Sequence, residues 1–252
     1  VMFKAYPYPE ADRLVRLGEI RTKESPSGDL LPISVRKYLE RKDIEAFESV
    51  GLYRIGGDNL FFYGQAFRVA TGRVTPSFFS AIQVAPLIGR VFEEGEDRPG
   101  KTNVLILSYD LWKQSFQSDV NIIGKTVEIE GMTFEVIGVM PEGFYFIESG
   151  VGLWRPLVIN RYERSRRGWN NDRLAAVARL KSGFSIHQAQ AQLDAVDARM
   201  YEKFPERKSF IELVGLRSYL VDYHKYRIRN SKNILYLLQA SVIFVFIIGC
   251  VN

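Results

Sequence analysis

The stretch Asp172–Met200, "DRLAAVARLKSGFSIHQAQAQLDAVDARM", changes periodicity at a single glycine. Its first part, "DRLAAVARL", is a short apolar run of strand type. Gly183 marks a turn. Ser185 and Gln188 then form a capping box, in which each side chain satisfies the other residue's backbone N–H at a helix start. Beyond it Ile186, Ala189, Leu193, Val196 and Met200 recur at steps of three and four, so one stripe of the helix is apolar and must pack on a sheet. A strand, a turn and a one-sided helix are the parts of a layered unit in which a helix covers a sheet.

The same reading extends outward from this unit. "RLVRLGEIR" (13–21) carries Leu14, Val15, Leu17 and Ile20 and reads as a strand. A helix is expected from Ser34 through "VRKYLERKDIEAF" (35–47), with Val35, Tyr38, Leu39 and Phe47 on one stripe and the charges facing water. "SVGLYRIGGDNLFFYGQAFRVATGRV" (49–74) is rich in aromatic and β-branched residues and punctuated by glycine, which suggests short antiparallel strands. "TPSFFSAI" (75–82) fits one short helix with Thr75 as N-cap and Pro76 at the first helical position. "NVLILS" (103–108) reads as a buried strand, and "YDLWKQSF" (109–116) after Ser108 has helical spacing for Leu111, Trp112 and Phe116. In "KTVEIEGMTFEVIGVM" (125–140), Val127 and Ile129 alternate, Glu130 and Gly131 turn, and Met132, Phe134 and Val136 alternate again, the pattern of a β-hairpin. "SFIELVGL" (209–216) is expected to supply a closing strand.

The two ends differ from this middle. From Ile234 the chain reads "ILYLLQASVIFVFIIGCV", 18 residues without a charge. At about 1.5 Å per residue such a helix nearly crosses a hydrocarbon core of about 30 Å, and residues 230–252 are expected to begin a membrane helix. The opening "VMFKAYPYPEADRLVRL" starts apolar and breaks at Pro7 and Pro9, so residues 1–11 read as the end of an earlier membrane helix and its exit. A polar domain, residues 12–222, would thus be tethered at both sides. Lys225, Arg227, Arg229 and Lys232 precede the second helix, but the positive-inside tendency applies poorly to so long a loop and does not settle the side. Tyr223, Tyr226 and Tyr236 are expected to anchor beside this basic group at the membrane interface.

Composition narrows the function. The 252 residues are 46% hydrophobic and 25% charged, a globular balance, and a net charge of +5 with dispersed basic residues argues against nucleic acid as a partner. The single cysteine, Cys250, excludes an internal disulfide framework and a cysteine-based metal cluster. His187 and His224 have no spaced partner of zinc or triad type, and neither a Walker-type phosphate loop nor a GXSXG nucleophile elbow is present. Trp112, Trp154 and Trp169 read as core or interface anchors. "GRVFEEGEDRPG" (89–100) gathers Glu93, Glu94, Glu96 and Asp97, which could hold a metal, share a proton or solvate a turn. The calcium-loop alternation is missing, and acid–base work needs opposed carboxyls in unlike environments. The favoured reading is structural: Gly89 and Gly95 permit the turns, Pro99 and Gly100 end the loop, and Arg90 or Arg98 pairs with a carboxylate. No catalytic, cofactor-binding or metal-binding residue is expected.

The ordered motifs "FFSAIQVAPLIGRVFEEGEDRPG", "NVLILSYDLWKQSF", "IIGKTVEIEGMTFEVIGVMPEGFYF", "LWRPL", "ARLKSGFSIHQAQAQLDAV" and "IIGCVN" resemble the periplasmic core domain of MacB-like ABC transporter permeases, most closely the acidobacterial-type subgroup. The motif residues carrying the resemblance are Phe78, Phe79, Gly89, Arg90, Phe92, Asp97, Pro99, Gly100, Trp112, Gly131, Gly138, Pro141, Gly143, Phe144, Trp154 and Pro156. One departure is "FKAYPYP" where the family commonly has an Arg-Pro-Leu stretch, which touches the tether and not the core. The resemblance implies an extracytoplasmic domain between the first two membrane helices of an FtsX-type permease in a bacterial inner membrane. It further implies a two-lobed α+β domain: a porter-like lobe from residues 12–75 and 172–222, and an inserted strand-rich lobe from 76–171. Catalysis would lie elsewhere, with ATP hydrolysed by a cytoplasmic nucleotide-binding subunit or domain. A permease dimer or paired permease halves, and a periplasmic adaptor, are the further partners implied. An FtsX-like regulator or scaffold that binds a periplasmic protein is the alternative function.

Overall fold

The computed structural model describes residues 8–23, 29–62, 64–146, 150–226 and Ser241. Residues 1–7 of the first expected membrane segment and all of the second except Ser241, with Tyr236 and Cys250 among them, lie outside the described residues. Among the described residues no helix is long and apolar enough to cross a membrane.

The strand read from "DRLAAVARL" is β9 (Ala175–Leu180), and it is central because small and branched residues let both of its faces be covered. It lies antiparallel between β1 (Leu14–Arg21) and β2 (Phe47–Phe62), and β10 (Leu216–Asp222) extends β1 at the edge. Two helices cover one face of these four strands: α1 (Val35–Arg41), started by Ser34 accepting from Lys37 N–H, and α5 (Ile186–Lys203). The capping box of Ser185 and Gln188 is present, and Ala189 and Leu193 sink with Val15, Leu17, Leu52, Ala176, Ala178 and Leu220 into one core. Each such fully buried leucine contributes about 1.5 to 3 kcal/mol.

β2 runs on past this core. Its second half pairs with β3 (Gln65–Val74), β3 lies parallel to β8 (Val151–Pro156), and β8 lies antiparallel to β5 (Val104–Leu107). β5 lies parallel to β7 (Met132–Val139), and β7 forms the expected hairpin with β6 (Thr126–Ile129). β6 then returns to β2 through Leu60↔Ile129 and Phe61↔Glu128. The pairing therefore closes on itself as a small barrel, which leaves no free edge around the ring. Its interior is filled by Leu60, Val69, Leu105, Leu107, Val127, Ile129, Phe134, Val136 and Leu153, and α3 (Tyr109–Ser115) adds Trp112, with Phe116 just beyond it. Two-residue β4 (Ile88–Gly89) adds to β7, α2 (Pro76–Ile82) packs on β2 and β9, and the single turn α4 (Arg161–Arg164) precedes β9. The whole is one ten-stranded sheet.

Four expectations are corrected. α1 stops at Arg41 and Phe47 belongs to β2, because residues 42–46 turn the chain back toward the sheet. The charges of α1 do not all face water, since Lys37 and Arg41 are buried. Residues Lys208–Val214 form a helix, α6, with Ile211 and Val214 buried three apart and Gly215 closing it at φ 65, so the closing strand begins only at Leu216. The lobe boundary at residue 75 falls inside the ring, which already includes the second half of β2 and all of β3. Thr75 does stand at the N-cap of α2, but its hydroxyl accepts from Leu52 N–H at 3.0 Å instead of capping the helix.

Candidate functional site: an aromatic junction

The motif residues separate into a few places. Phe78 and Phe79 on α2, Phe92, Phe144 and Trp154 converge in a second core on the other face of the sheet, between the four-strand half and the outer wall of the ring. Three more aromatic residues not marked by any motif, Tyr8, Tyr53 and Tyr223, join them with Phe146. Phe78 meets Phe79 at 5.2 Å, Phe79 meets Phe92 at 5.6 Å and Phe144 meets Trp154 at 5.2 Å. Phe146 is the hub: it lies 4.5 Å from Phe78, 5.3 Å from Tyr53, 6.2 Å from Tyr8 and, stacked at 17°, 5.2 Å from Tyr223. Edge-to-face and offset pairs at such spacings contribute about 0.5 to 1.5 kcal/mol each beyond the burial of the rings.

Local chemistry builds this arrangement. Pro141 to Phe144 forms a turn closed by Phe144 N–H to Pro141 O at 3.2 Å, and Gly143 at φ 77 takes the left-handed position that a side chain would resist. The extended residues after it point alternately, so Phe144 and Phe146 enter the core while Tyr145 stays at the surface. Tyr145 O accepts from Tyr8 Oη at 2.8 Å. Tyr8 and Tyr223 are the outermost core residues toward the two ends of the domain, and their rings lie 6.3 Å apart. Tyr223 is thus packed inside the junction, a correction to its expected role at a membrane interface. Tyr226 holds the same end by another contact, its ring 4.0 Å from the Arg16 guanidinium of β1.

A buried ionic cluster fastens the same region from the other face. Glu19 of β1 pairs with Lys37 at 2.7 Å and Arg41 at 3.0 Å, and Asp172 also takes Lys37 at 2.9 Å. Asp197 of α5 takes Arg41 at 2.9 Å together with the Ser218 N–H (2.7 Å) and hydroxyl (2.9 Å) of β10. Burial pushes the Asp172 carboxyl above its ordinary range despite Lys37. The cluster ties the exit strand to both helices.

The remaining motif residues shape the ring. Trp112 donates to Asp119 O at 2.9 Å beside the barrel core, Gly131 at φ 77 makes the hairpin turn with Glu130 at φ 49, and Pro156 ends the β3–β8 ladder opposite Val74. Gly89 and Gly138 face one another where β4 meets β7, so closely that a Cβ on Gly89 would stand 2.1 Å from Ile137 O. In the acidic loop Arg90, not Arg98, is the cation: it grips Glu96 at 2.7 and 3.0 Å, and Glu96 also accepts from Glu93 N–H at 2.8 Å. Partial burial pushes the Glu96 carboxyl up, but Arg90 and the Glu93 N–H outweigh it and hold the group below the usual glutamate range. Asp97 stands half-buried in the turn, with Pro99 and Gly100 exposed after it. Among the described residues no three His, Cys, Asp or Glu side chains converge as a metal site.

The geometry brings Tyr8, Tyr223 and the wall of the barrel together in one aromatic core. A family model described as the MacB-like periplasmic core domain matches residues 4–196. Among solved structures, the periplasmic region of MacB from Actinobacillus actinomycetemcomitans superposes with a TM-score of 0.58 at 12% identity, covering 88% of this chain and 94% of that one. A domain of a putative permease from Porphyromonas gingivalis gives 0.61 at 16% identity, with 85% and 92% covered. The extracellular domain of the noncanonic ABC-type transporter YknZ from Gram-positive bacteria gives 0.54 at 14% identity, with 74% and 94% covered. At these identities the likeness establishes the fold. No curated protein matches the sequence.

Proposed function

Because this chain belongs to the family of MacB-like periplasmic core domains, we propose that it is the moving extracytoplasmic part of an ABC transporter permease in the cell membrane. ATP is hydrolysed by a separate cytoplasmic subunit or domain, the flanking membrane helices carry the motion outward, and this domain converts it into export of a substrate. It works as a permease dimer or as paired permease halves, with a periplasmic adaptor as a further partner.

The observation that carries the reading is the junction. A displacement of either tether acts at once on Tyr8 or Tyr223, and both rings bear on the 144–146 segment that roots the barrel. Interiors packed in this way transmit strain instead of absorbing it. A second reading, a regulatory module that binds a periplasmic protein, is favoured by α6, where Phe210 and Leu213 are exposed three residues apart on one side.

The exit segment separates the two. From Ser218 to Ile248 the chain contains neither glycine nor proline. A short Gly-Ser insertion after Lys225 in the full permease leaves both cores and the ATPase untouched, but makes the connection flexible. The expected result is retained ATP hydrolysis with transport lost. Transport at the parental rate in the insertion variant would show that no force passes through this segment, and the binding-module reading would replace the mechanical one.

A further inference from the structure

The face of β2 opposite the junction carries a feature that force transmission does not use. Val50 and Leu52 lie in the first core and Leu60 in the barrel interior, all on one face, and Arg54, Gly56 and Asp58 occupy the interval between them. Arg54 pairs with Arg73 on β3, and Arg73 with Arg155 on β8, so three arginines stand abreast across three strands at the waist of the molecule. Like charges directly opposite one another destabilise a sheet unless counter-charge is supplied.

The row is only partly neutralised. Asp58, buried beneath it, pairs with Arg73 at 2.6 Å and Arg155 at 2.8 Å, and the Arg155 guanidinium also lies 4.3 Å from the centre of the Phe134 ring. Arg54 is left over: its buried Nε has no hydrogen-bond partner, and no ion pair closes on it among the described residues. Burial first, then Arg73, and Arg173 just before β9, lower its pKa. The carboxylates felt there are Asp58 and Glu163, and Glu163 already accepts from Asn160 N–H at 2.9 Å in a capping box. Next to Arg54 the surface is open, since a Cβ placed on Gly56 would meet nothing within 4 Å.

We propose that this arginine row is a binding site for an oxyanion, a phosphate or carboxylate group whose ligand sits over Gly56 and is gripped by Arg54 and Arg73. Guanidinium forks match such groups two bonds at a time, and the anion supplies the counter-charge that the protein withholds from Arg54. The ligand is a soluble anionic solute or the headgroup of an anionic lipid, and the proposal is independent of whether the domain transmits force.

The test is calorimetric titration of the whole chain, in detergent at low salt, with inorganic phosphate and pyrophosphate. The parent is expected to bind pyrophosphate saturably. Arg54→Gln should weaken that affinity at least about tenfold, as loss of a two-bond guanidinium contact does. Its unfolding midpoint without anion should hold or rise, since a half-buried cation crowded by Arg73 is gone. Arg68→Gln, on the opposite face of the same hairpin, should bind like the parent. If Arg54→Gln fails to fold, Arg54→Lys keeps the charge without the fork and must bind more weakly. Repeating the titration in nanodiscs with and without phosphatidylglycerol distinguishes the sources: competition by that lipid identifies a headgroup, and its absence a solute. A parent that binds no pyrophosphate, or Arg54 variants that bind it undiminished, would overturn the proposal.

Discussion

Arg90 and Glu96 explain why four carboxylates can crowd between Gly89 and Gly100. One of them, Glu96, is held by a guanidinium fork and a backbone N–H, while Glu93 and Glu94 stand exposed. Glu96→Ala is therefore expected to lower stability by about 1 to 2 kcal/mol, the scale of hydrogen bonds to a charged group reduced by the solvent exposure of Arg90, with Glu93→Ala and Glu94→Ala within about 0.5 kcal/mol of the parent. Urea unfolding of the three variants measures it, and equal effects would mean that Glu96 has no special place. The pH dependence has a definite sign. The Glu96 carboxyl sits below its ordinary range in the folded chain, so its contribution is complete above the ordinary glutamate pKa and is lost as pH falls through the depressed folded value. At this scale the loop was readable, down to an arginine as the partner. The buried cluster around Lys37 and Arg41 was not: on an amphipathic helix two cations at i and i+4 look like a solvated face, and only Glu19, Asp172 and Asp197, distant in sequence, make their burial tolerable.

Among the elements, those with a local signal at both ends were legible. The β6–β7 hairpin has alternation on both arms and a Glu130-Gly131 turn with positive φ at both positions, the conformation a two-residue hairpin loop prefers. The α5 cap was equally explicit. By contrast α6 carries Phe210, Ile211, Leu213 and Val214 in a run too short to tell strand from helix, and its stop at Gly215 is the one local cue. Two motif glycines allow a graded test. Gly131 has open space around it, so Gly131→Ala meets only the backbone penalty of its φ, about 1 kcal/mol. Gly89 combines φ 78 with a backbone carbonyl 2.1 Å from where the Cβ would stand, so alanine there must push β4 off β7. Gly89→Ala should cost at least about twice as much as Gly131→Ala, read as urea midpoints. Equal costs would mean that the β4–β7 contact yields freely.

For the molecule as a whole, what escapes a linear reading is closure. No periodicity announces that β6 returns to β2 across about 70 residues of chain, or that Tyr8 and Tyr223 meet, because long-range pairing is fixed by which apolar faces must cover one another. The "GFYF" alternation was the available hint, since Phe144 and Phe146 had to share a face. That face now defines a test of whether the junction transmits motion or merely stabilises. Phe146 and Phe116 are both buried phenylalanines, at 2% and 4% exposure, so truncation of either to alanine should cost a similar 3 to 5 kcal/mol by rough estimate. Phe116 belongs to the barrel core, away from the tethers, whereas Phe146 touches Tyr8, Tyr53, Phe78 and Tyr223. At a temperature where both full-length variants remain folded, Phe116→Ala should retain transport per ATP hydrolysed, and Phe146→Ala should hydrolyse ATP with transport sharply reduced. A loss of coupling that tracks stability alone, equal in the two variants, would reduce the aromatic junction to ordinary core and remove the physical basis for force passing between the tethers and the barrel.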